Sequence, residues 1–449
     1  MMNARNSGVA LIALGGGILA GSAVHQPQWW QGVIGLVLIA FAFFQARSRR
    51  TAALCGLIAG VAYFEVSMPF LLTGYRSIGI TGFKPIIGVI ALRFLLALWW
   101  PVAFAIAYGV RGAVNRAAAL SVLWAAAELL RGTVFPAIPV AQIASIWSQT
   151  PMIQLSHPLT VELLSALTIA IAVSAARTIS QKSIPIAEGL LLAIGGMIGA
   201  SAEGAPLPSP NLPRIAVIDT AIRQSQRWDD AVLPAYMADL TARTRAAFDH
   251  DHAQIVVWPE ASVPFFPEEF AALEPVRPGP GQYLVLGVMT PIEAGQFYNS
   301  LLVLDHQLAP VARYDKRHLF PFGEYLPYAE LIERFLGLTT IAVSTNSLVP
   351  GRGDQSIQLP GLSGRIIPVI CYEGSFALPR PAPGETGAYS IVISNDAWWD
   401  GSTGARFVEQ EARMRAIEAG VPMIRIPNMH SPLIVDAHGQ TTTLSALSR

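Results

Sequence analysis

Hydrophobic and polar positions divide this chain into two unlike halves. Up to about residue 205, long apolar runs are broken only by short polar stretches. A membrane span needs roughly 17–25 mostly apolar residues. Seven segments meet that pattern, at about 8–24, 31–46, 52–74, 86–110, 114–130, 158–176 and 185–202. The first is followed directly by further apolar runs and lacks a clear small-residue cleavage site, so it reads as a retained helix and not a signal peptide. Beyond 205 the pattern changes. A Pro/Gly/Ser-rich stretch at 202–213 reads as a linker. Short β-branched runs follow at 215–218, 255–258, 284–288, 301–304, 366–370, 391–394 and 423–426. Polar helical stretches lie near 229–248 and 406–419. Strands alternating with helices predict a layered α/β domain. The expected organisation is a transmembrane helical domain over 1–205 and an extramembrane α/β domain over 206–449.

Composition supports the division. The chain of 449 residues is 52% hydrophobic and only 13% charged, with zero formal net charge. Soluble domains run near a quarter charged, so much of this chain belongs in lipid. A neutral balance gives no electrostatic case for nucleic acid. No metal- or cofactor-binding pattern is evident, and none is expected.

Lys and Arg in the short loops give the orientation. One alternate set of loops holds Arg5, then Arg47, Arg49 and Arg50, then Arg111 and Arg116, then Arg177 and Lys182. The other holds only Arg76, Lys84 and Arg131. The richer set is expected to face the cytoplasm. Seven spans then put the second domain on the outer face, the periplasm of a Gram-negative cell. Charged residues within or beside spans need partners. Helix–helix pairing or snorkelling is expected for Arg93 and Glu162. Glu128 and Arg131, three apart on one helical face, are placed to pair.

Several predicted strands end in reactive residues. The 255–258 run ends at Pro259-Glu260, the 366–370 run at Cys371-Tyr372-Glu373, and the 391–394 run at Asn395-Asp396. Ligand sites in α/β sheets lie at the carboxyl ends of strands, so these ends point to one pocket. Between them runs a polar, aromatic stretch from Tyr314 through Lys316 to Glu324 and Tyr325. A cysteine becomes nucleophilic when a base or cation eases loss of its proton. Glu260 is suited to take that proton. Lys316 is suited to lower the thiol pKa and to hold an oxyanion. Glu324 is suited to orient Lys316 or to assist proton transfer. Taken singly, each has an ordinary reading: a packing cysteine, a turn acid, a surface lysine. Cys55, the other cysteine, lies in an apolar run and reads as packing.

Four motifs give the set its specificity: Trp258-Pro259-Glu260-Ala261-Ser262; Tyr314-Asp315-Lys316 with Pro321-Phe322-Gly323-Glu324-Tyr325-Leu326-Pro327; Ile370-Cys371-Tyr372-Glu373; and Ser394-Asn395-Asp396-Ala397-Trp398. Together they resemble the motifs of apolipoprotein N-acyltransferases, the membrane-embedded branch of the nitrilase (carbon-nitrogen hydrolase) superfamily. Ala412–Glu418 and Glu128-Leu129-Leu130-Arg131 continue the resemblance. It implies an αββα sandwich with Glu260, Lys316 and Cys371 as the catalytic triad. It implies supporting roles for Glu324, Tyr372 and Glu373. It also implies a ping-pong reaction in which Cys371 takes an acyl chain from a phospholipid as a thioester. The chain then passes to the α-amine of a lipid-modified N-terminal cysteine on a lipoprotein.

Other positions depart from the family pattern. Ile138-Pro139-Val140 stands for its Phe-Pro-Trp, Phe407-Val408 for its Gln-His, and Asn428-Met429-His430-Ser431-Pro432 for its Asn-Thr-Gly-Ile-Ser. The family commonly adds an eighth span, and no apolar run follows the second domain here. Two alternatives therefore stand beside the acyltransferase. One is a conjugal-transfer-associated paralogue with altered or no activity. The other is a membrane-tethered amidase in which water replaces the amine.

Overall fold

The computed structural model describes residues 4–444 except 27, 78–81, 135, 204–211, 224–225, 227–228, 230, 264–265, 294, 326, 329–333, 335–347, 354–355 and 400–401. The described chain forms two compact units, one of residues 1–71 and 86–206, the other of 72–85 and 207–449. Most of the expected linker lies outside the described residues.

In the first unit, each of the seven apolar segments carries a helix. Four are long and apolar enough to cross a membrane: Ile86–Tyr108, Ala113–Thr133, Val161–Ser180 and Ile186–Glu203. Asn6–Ser22 and Trp29–Gln45 are shorter apolar helices. The segment expected at 52–74 does not run through. Its helix, Arg49–Ser67, stops at Met68, whose backbone leaves helical geometry just before Pro69. Proline disfavours helical geometry in the residue before it. A short separate helix, Leu71–Ser77, follows, and from Leu72 the chain groups with the second unit. There Gly74 packs so closely on Trp399 that a Cβ would lie 2.6 Å from its ring.

The intramembrane charges find partners, as their cost in lipid requires. Arg93 donates to Glu65 at 2.5 Å and to the Met68 carbonyl at 2.8 Å. Glu128 and Arg131 pair at 2.9 Å. Trp100 Nε1 donates to the other oxygen of Glu128, and Arg131 also donates to the carbonyls of Ile138 and Val140. Gln142 donates to Glu162 at 3.1 Å. Cys55 is buried, as expected of packing.

The second unit is a four-layer sandwich. One sheet has the order β1-β2-β3-β4-β5, formed by Ile215–Val217, Ile255–Val257, Tyr283–Pro291, Phe297–Leu304 and Pro310–Asp315. The other runs β10-β9-β8-β7-β6, with β6 Ile366–Ile370, β7 Tyr389–Asn395, β8 Met423–Asn428, β9 Leu433–Val435 and β10 Thr441–Thr443. Within the sheets, β1, β2 and β3 run parallel, as do β6, β7 and β8, and each sheet finishes with antiparallel strands. Parallel strands buried on both faces read as continuous apolar runs, as in Ile-Ile-Pro-Val-Ile of β6. Val257, Val285 and Leu301 of one sheet meet Ile370, Ile391 and Ile424 of the other in the central core. The helix Leu233–Asp249 covers the outer face of the first sheet through Leu240, Ala247 and Phe248. The helix Gly404–Ala419 covers the second through Ala412, Ala416 and Ala419. The predicted αββα arrangement is thus present, with β5, β9 and β10 added to the expected strands.

Candidate active site

The carboxyl ends of β2, β6, β7 and β8 gather the polar groups that the motifs single out. β2 stops at Val257, and Trp258-Pro259 carries the chain to Glu260, which is 5% exposed. The turn is tight, and Ala261 takes a positive φ of 43°. It also requires a glycine across the sheet. A Cβ on Gly287 of β3 would lie 2.5 Å from the Ala261 nitrogen and 2.6 Å from the Glu260 Cα.

Both oxygens of Glu260 are held. Oε1 accepts from Asn299 Nδ2 of β4 at 2.7 Å. Oε2 accepts from the Asn395 backbone N–H at the end of β7 at 2.8 Å. Lys316 follows β5 directly and is 1% exposed. Its Nζ lies 2.7 Å from Glu324 Oε1 and 3.5 Å from Glu260 Oε1. The second oxygen of Glu324 accepts from the Phe320 N–H at 2.7 Å, closing the loop between lysine and glutamate. Burial by itself lowers an ammonium pKa; the Glu324 and Glu260 carboxylates outweigh it and hold Lys316 well above the usual lysine range.

Cys371 opens the turn after β6 with φ 54°. A non-glycine residue there is strained, by an amount on the order of 1–3 kcal/mol, and such strain persists where surrounding contacts enforce it. Those contacts converge on Glu373. Its Oε2 accepts from the Ile370 N–H at 2.9 Å. Its Oε1 accepts from the Tyr314 hydroxyl and from the N–H groups of Arg317 and His318. One carboxylate therefore ties the cysteine turn to the segment that carries Lys316. Tyr372 packs edge-on against Phe320 and Phe376. Arg415 braces the far end of the turn by donating to the Ser375 carbonyl while paired with Glu418.

Cys371 keeps part of its surface open, unlike the buried charges around it. Burial pushes its thiol up to about 12; the nearby Glu260 adds to the shift and Lys316 opposes it. The sulfur is thus a neutral thiol at pH 7, beside a base and a cation. Glu260, Lys316, Cys371, Glu324, Tyr372 and Glu373 all fall in this one region, and Cys55 does not.

Sequence reasoning gave no role to Asn299, Gly287, Arg425 or Asn428. Asn299 serves Glu260 and Lys316 together: its side chain holds the glutamate and its carbonyl accepts the Lys316 N–H. Arg425 of β8 donates to both oxygens of Asp396 at 2.7 Å, and Asn428 Nδ2 donates to Asn395 Oδ1. Arg425, a charged residue inside the apolar run Met-Ile-Arg-Ile-Pro, is marked by that contrast; Gly287 and Asn299 carry no such mark. Among the described residues, no group of His, Cys, Asp and Glu is arranged to hold a metal.

A cysteine, a glutamate and a lysine at the strand ends of an αββα sandwich, on a chain rich in apolar helices, define a membrane-associated member of the carbon-nitrogen hydrolase class. The carbon-nitrogen hydrolase family model matches residues 214–447, and the apolipoprotein N-acyltransferase N-terminal domain model matches 15–174. The chain is 33% identical over 345 residues to the apolipoprotein N-acyltransferase of Sinorhizobium medicae (strain WSM419), covering 72% of this chain and 64% of that one. It is 32% identical over 372 residues to that of Rhizobium meliloti (strain 1021), covering 78% and 69%. The match thus spans about two thirds of the length of these two relatives. The corresponding protein of Photobacterium profundum is 25% identical over 458 residues, covering 96% and 86%. Among solved structures, an amidase from Nesterenkonia sp. is 17% identical and covers 53% of this chain and 88% of that one, with TM-score 0.35. The chain belongs to the apolipoprotein N-acyltransferase family.

Proposed function

We propose that the protein is an N-acyltransferase that moves an acyl chain from a phospholipid, through a Cys371 thioester, to the N-terminal cysteine amine of a lipoprotein. The proposed setting is the bacterial inner membrane, with helices of 1–205 in the bilayer and the domain of 206–449 in the periplasm. The Lys/Arg bias of the loops supports that orientation. A phospholipid donor also accounts for joining carbon-nitrogen hydrolase chemistry to so apolar a chain.

The observation that carries this reading is Lys316, fully buried between Glu260 and Glu324. A buried ammonium next to a thiol is a preorganised charge for an oxyanion. The reaction follows from that geometry. Glu260 takes the thiol proton as sulfur bonds to the ester carbonyl carbon, and the oxyanion forms against Lys316. The C–O bond then breaks, and Glu260 returns the proton to the leaving glycerol oxygen. In the second half, the acceptor nitrogen attacks the thioester carbonyl carbon. The C–S bond breaks, and one proton passes from nitrogen through Glu260 to sulfur. A thiol near 12 is not ionised in advance, so proton loss must accompany S–C bond formation, and that calls for a base held as firmly as Glu260.

The test is mass spectrometry of the purified protein after incubation with phospholipid vesicles. An acyl adduct, labile to hydroxylamine and absent from Cys371→Ala, is expected. A wild-type protein that stays unmodified where a relative of known activity is acylated would overturn the reading. Release of free fatty acid, with no transfer to a lipopeptide amine, would favour the hydrolase.

A further inference from the structure

The second half-reaction has a proton left over. An α-amine has a pKa near 7.7–8.0, so at neutral pH the acceptor arrives largely as an ammonium. Forming the amide strips two protons from that nitrogen. One returns to the sulfur through Glu260. The other must leave by a different group.

Most titratable groups of the site are already committed. Lys316 is held in its charged form by its two carboxylates. Glu324 is engaged by Lys316 and the Phe320 N–H. Glu373 accepts from four donors. Asp396 accepts from Arg425 on both oxygens and from the Ser394 hydroxyl. His318 lies flat on Phe376 and is lowered to about 4 by burial and by Arg317, too weak a base for an ammonium.

His430 is not committed. It stands two residues beyond β8, whose end pairs with that of β7 through Asn428 and Asn395. It lies beyond the carboxyl end of the sheet that carries Cys371, two strands across from it. Its ring is 36% exposed. Nδ1 is nevertheless buried, has no hydrogen-bond partner among the described residues, and lies 3.9 Å from Asp396 Oδ2. Asp396 in turn directly follows β7, the neighbour of the β6 strand that leads into Cys371. Met429, with φ 75°, turns the chain there and donates its N–H to the Thr220 carbonyl. The charge that faces the ring is Asp396, with Arg425 behind it; the segment that Met429 touches at Thr220 also carries Asp219, paired with Arg243. An imidazole with one edge toward a buried carboxylate and the other toward solvent can take a proton from a substrate and release it to water.

We infer that His430, backed by Asp396, is the base that removes the surplus proton from the acceptor ammonium, directly or through one water. The inference rests on the proposed acyltransferase reading. The N–H bond breaks, the electron pair stays on nitrogen to attack the thioester, and the proton moves to imidazole and then to solvent. His430 takes no part in forming the thioester.

The experiment separates the two half-reactions in the full-length protein in lipid nanodiscs. Thioester formation is followed by mass spectrometry with phospholipid alone. Transfer is then started with a synthetic diacylglyceryl-cysteine peptide between about pH 6.5 and 9. His430→Gln is expected to form the thioester at the wild-type rate but to transfer about tenfold more slowly at pH 7, where only about a tenth of such an amine is neutral. The gap should close to within about threefold at pH 9, where the amine is already neutral. Added imidazole should restore transfer to His430→Ala at pH 7. Transfer at the wild-type rate, or a defect unchanged by pH and imidazole, would overturn the inference. So would loss of both steps together, which would make His430 structural. A wild type that forms no thioester would bring down the acyltransferase reading itself, and this inference with it.

Discussion

Lys316 Nζ lies 2.7 Å from Glu324 Oε1, and both side chains are almost wholly out of solvent. Removing one partner of a buried pair strands the other charge, typically at a cost of about 3–5 kcal/mol. Here Glu260, 3.5 Å from the same ammonium, compensates in part. Glu324→Ala is therefore expected to lower the thermal midpoint modestly. Lys316 should also swing toward Glu260, away from the oxyanion position. Thioester formation should fall by at least about 100-fold, the scale of a lost oxyanion contact. Lys316→Met removes the cation itself and should inactivate while leaving the protein in the membrane. Single-turnover acylation with a thermal-shift control separates the two effects.

The site was legible where chemistry sits beside a strand. Trp-Pro-Glu, Ile-Cys-Tyr-Glu and Ser-Asn-Asp each follow an apolar run, and the parallel topology brings those ends together. Gly287 was not legible, because its importance lies in a contact with Glu260 from a neighbouring strand, far along the sequence. Asn299 was hidden likewise, since only the register of β4 against β5 aligns it with Glu260 and Lys316. In the helical unit, hydropathy found the segments but carried the third through Pro69, where the backbone departs from a helix. Strand β5 escapes the pattern because it is short and half exposed, and β9 and β10 because only three residues form each.

Glu373 joins the two halves of the site through one carboxylate. Burial raises its pKa, while the Ile370, Arg317 and His318 N–H groups pull the other way. Glu373→Gln turns one acceptor oxygen into a donor and sets it against an N–H. Such a clash between buried donors costs about 1–3 kcal/mol. We expect a lower thermal midpoint together with a drop in thioester formation, because the Cys371 turn and the Lys316 segment lose their common anchor. Tyr314→Phe removes one donor of four and should cost less in both measurements.

Gly287→Ala tests whether the Glu260 turn tolerates any displacement. The added methyl would lie within 2.7 Å of the Glu260 Cα, the Ala261 nitrogen and the Pro259 oxygen, all of them backbone atoms. Backbone cannot move aside as a flexible side chain does, and overpacking of this kind costs about 1–3 kcal/mol. Glu260 should lose its grip on the Asn395 N–H. Activity is expected to fall much further than stability. Alanine at Gly189 or Gly196, helical positions where a Cβ would meet open space, should affect activity little. Thermal shift and single-turnover acylation on the three variants decide it; equal activity in all would mean that the β2–β3 approach does not set the base.

The reactivity of Cys371 toward alkylation should follow its raised thiol. An ordinary cysteine titrates near 8.5, and its thiolate is nearly complete by about pH 9.5. Burial, with Glu260 adding, puts the Cys371 thiol near 12. The sign follows from the direction: a group whose folded pKa lies above its unfolded value stays protonated through the window between them. Reaction with iodoacetamide should therefore be slow at pH 7 and still be climbing at about pH 10. Cys55 is the second thiol of the chain, so the measurement is made in a Cys55→Ala background. In Lys316→Met the opposing cation is gone, and the curve should move to still higher pH. In Glu260→Gln a negative neighbour is gone, and it should move lower, although acylation by phospholipid is lost. A curve that levels off by about pH 9 in the parent protein would mean an ionised sulfur at rest. The proton would then leave before the ester arrives, and Glu260 would have no part in the first step.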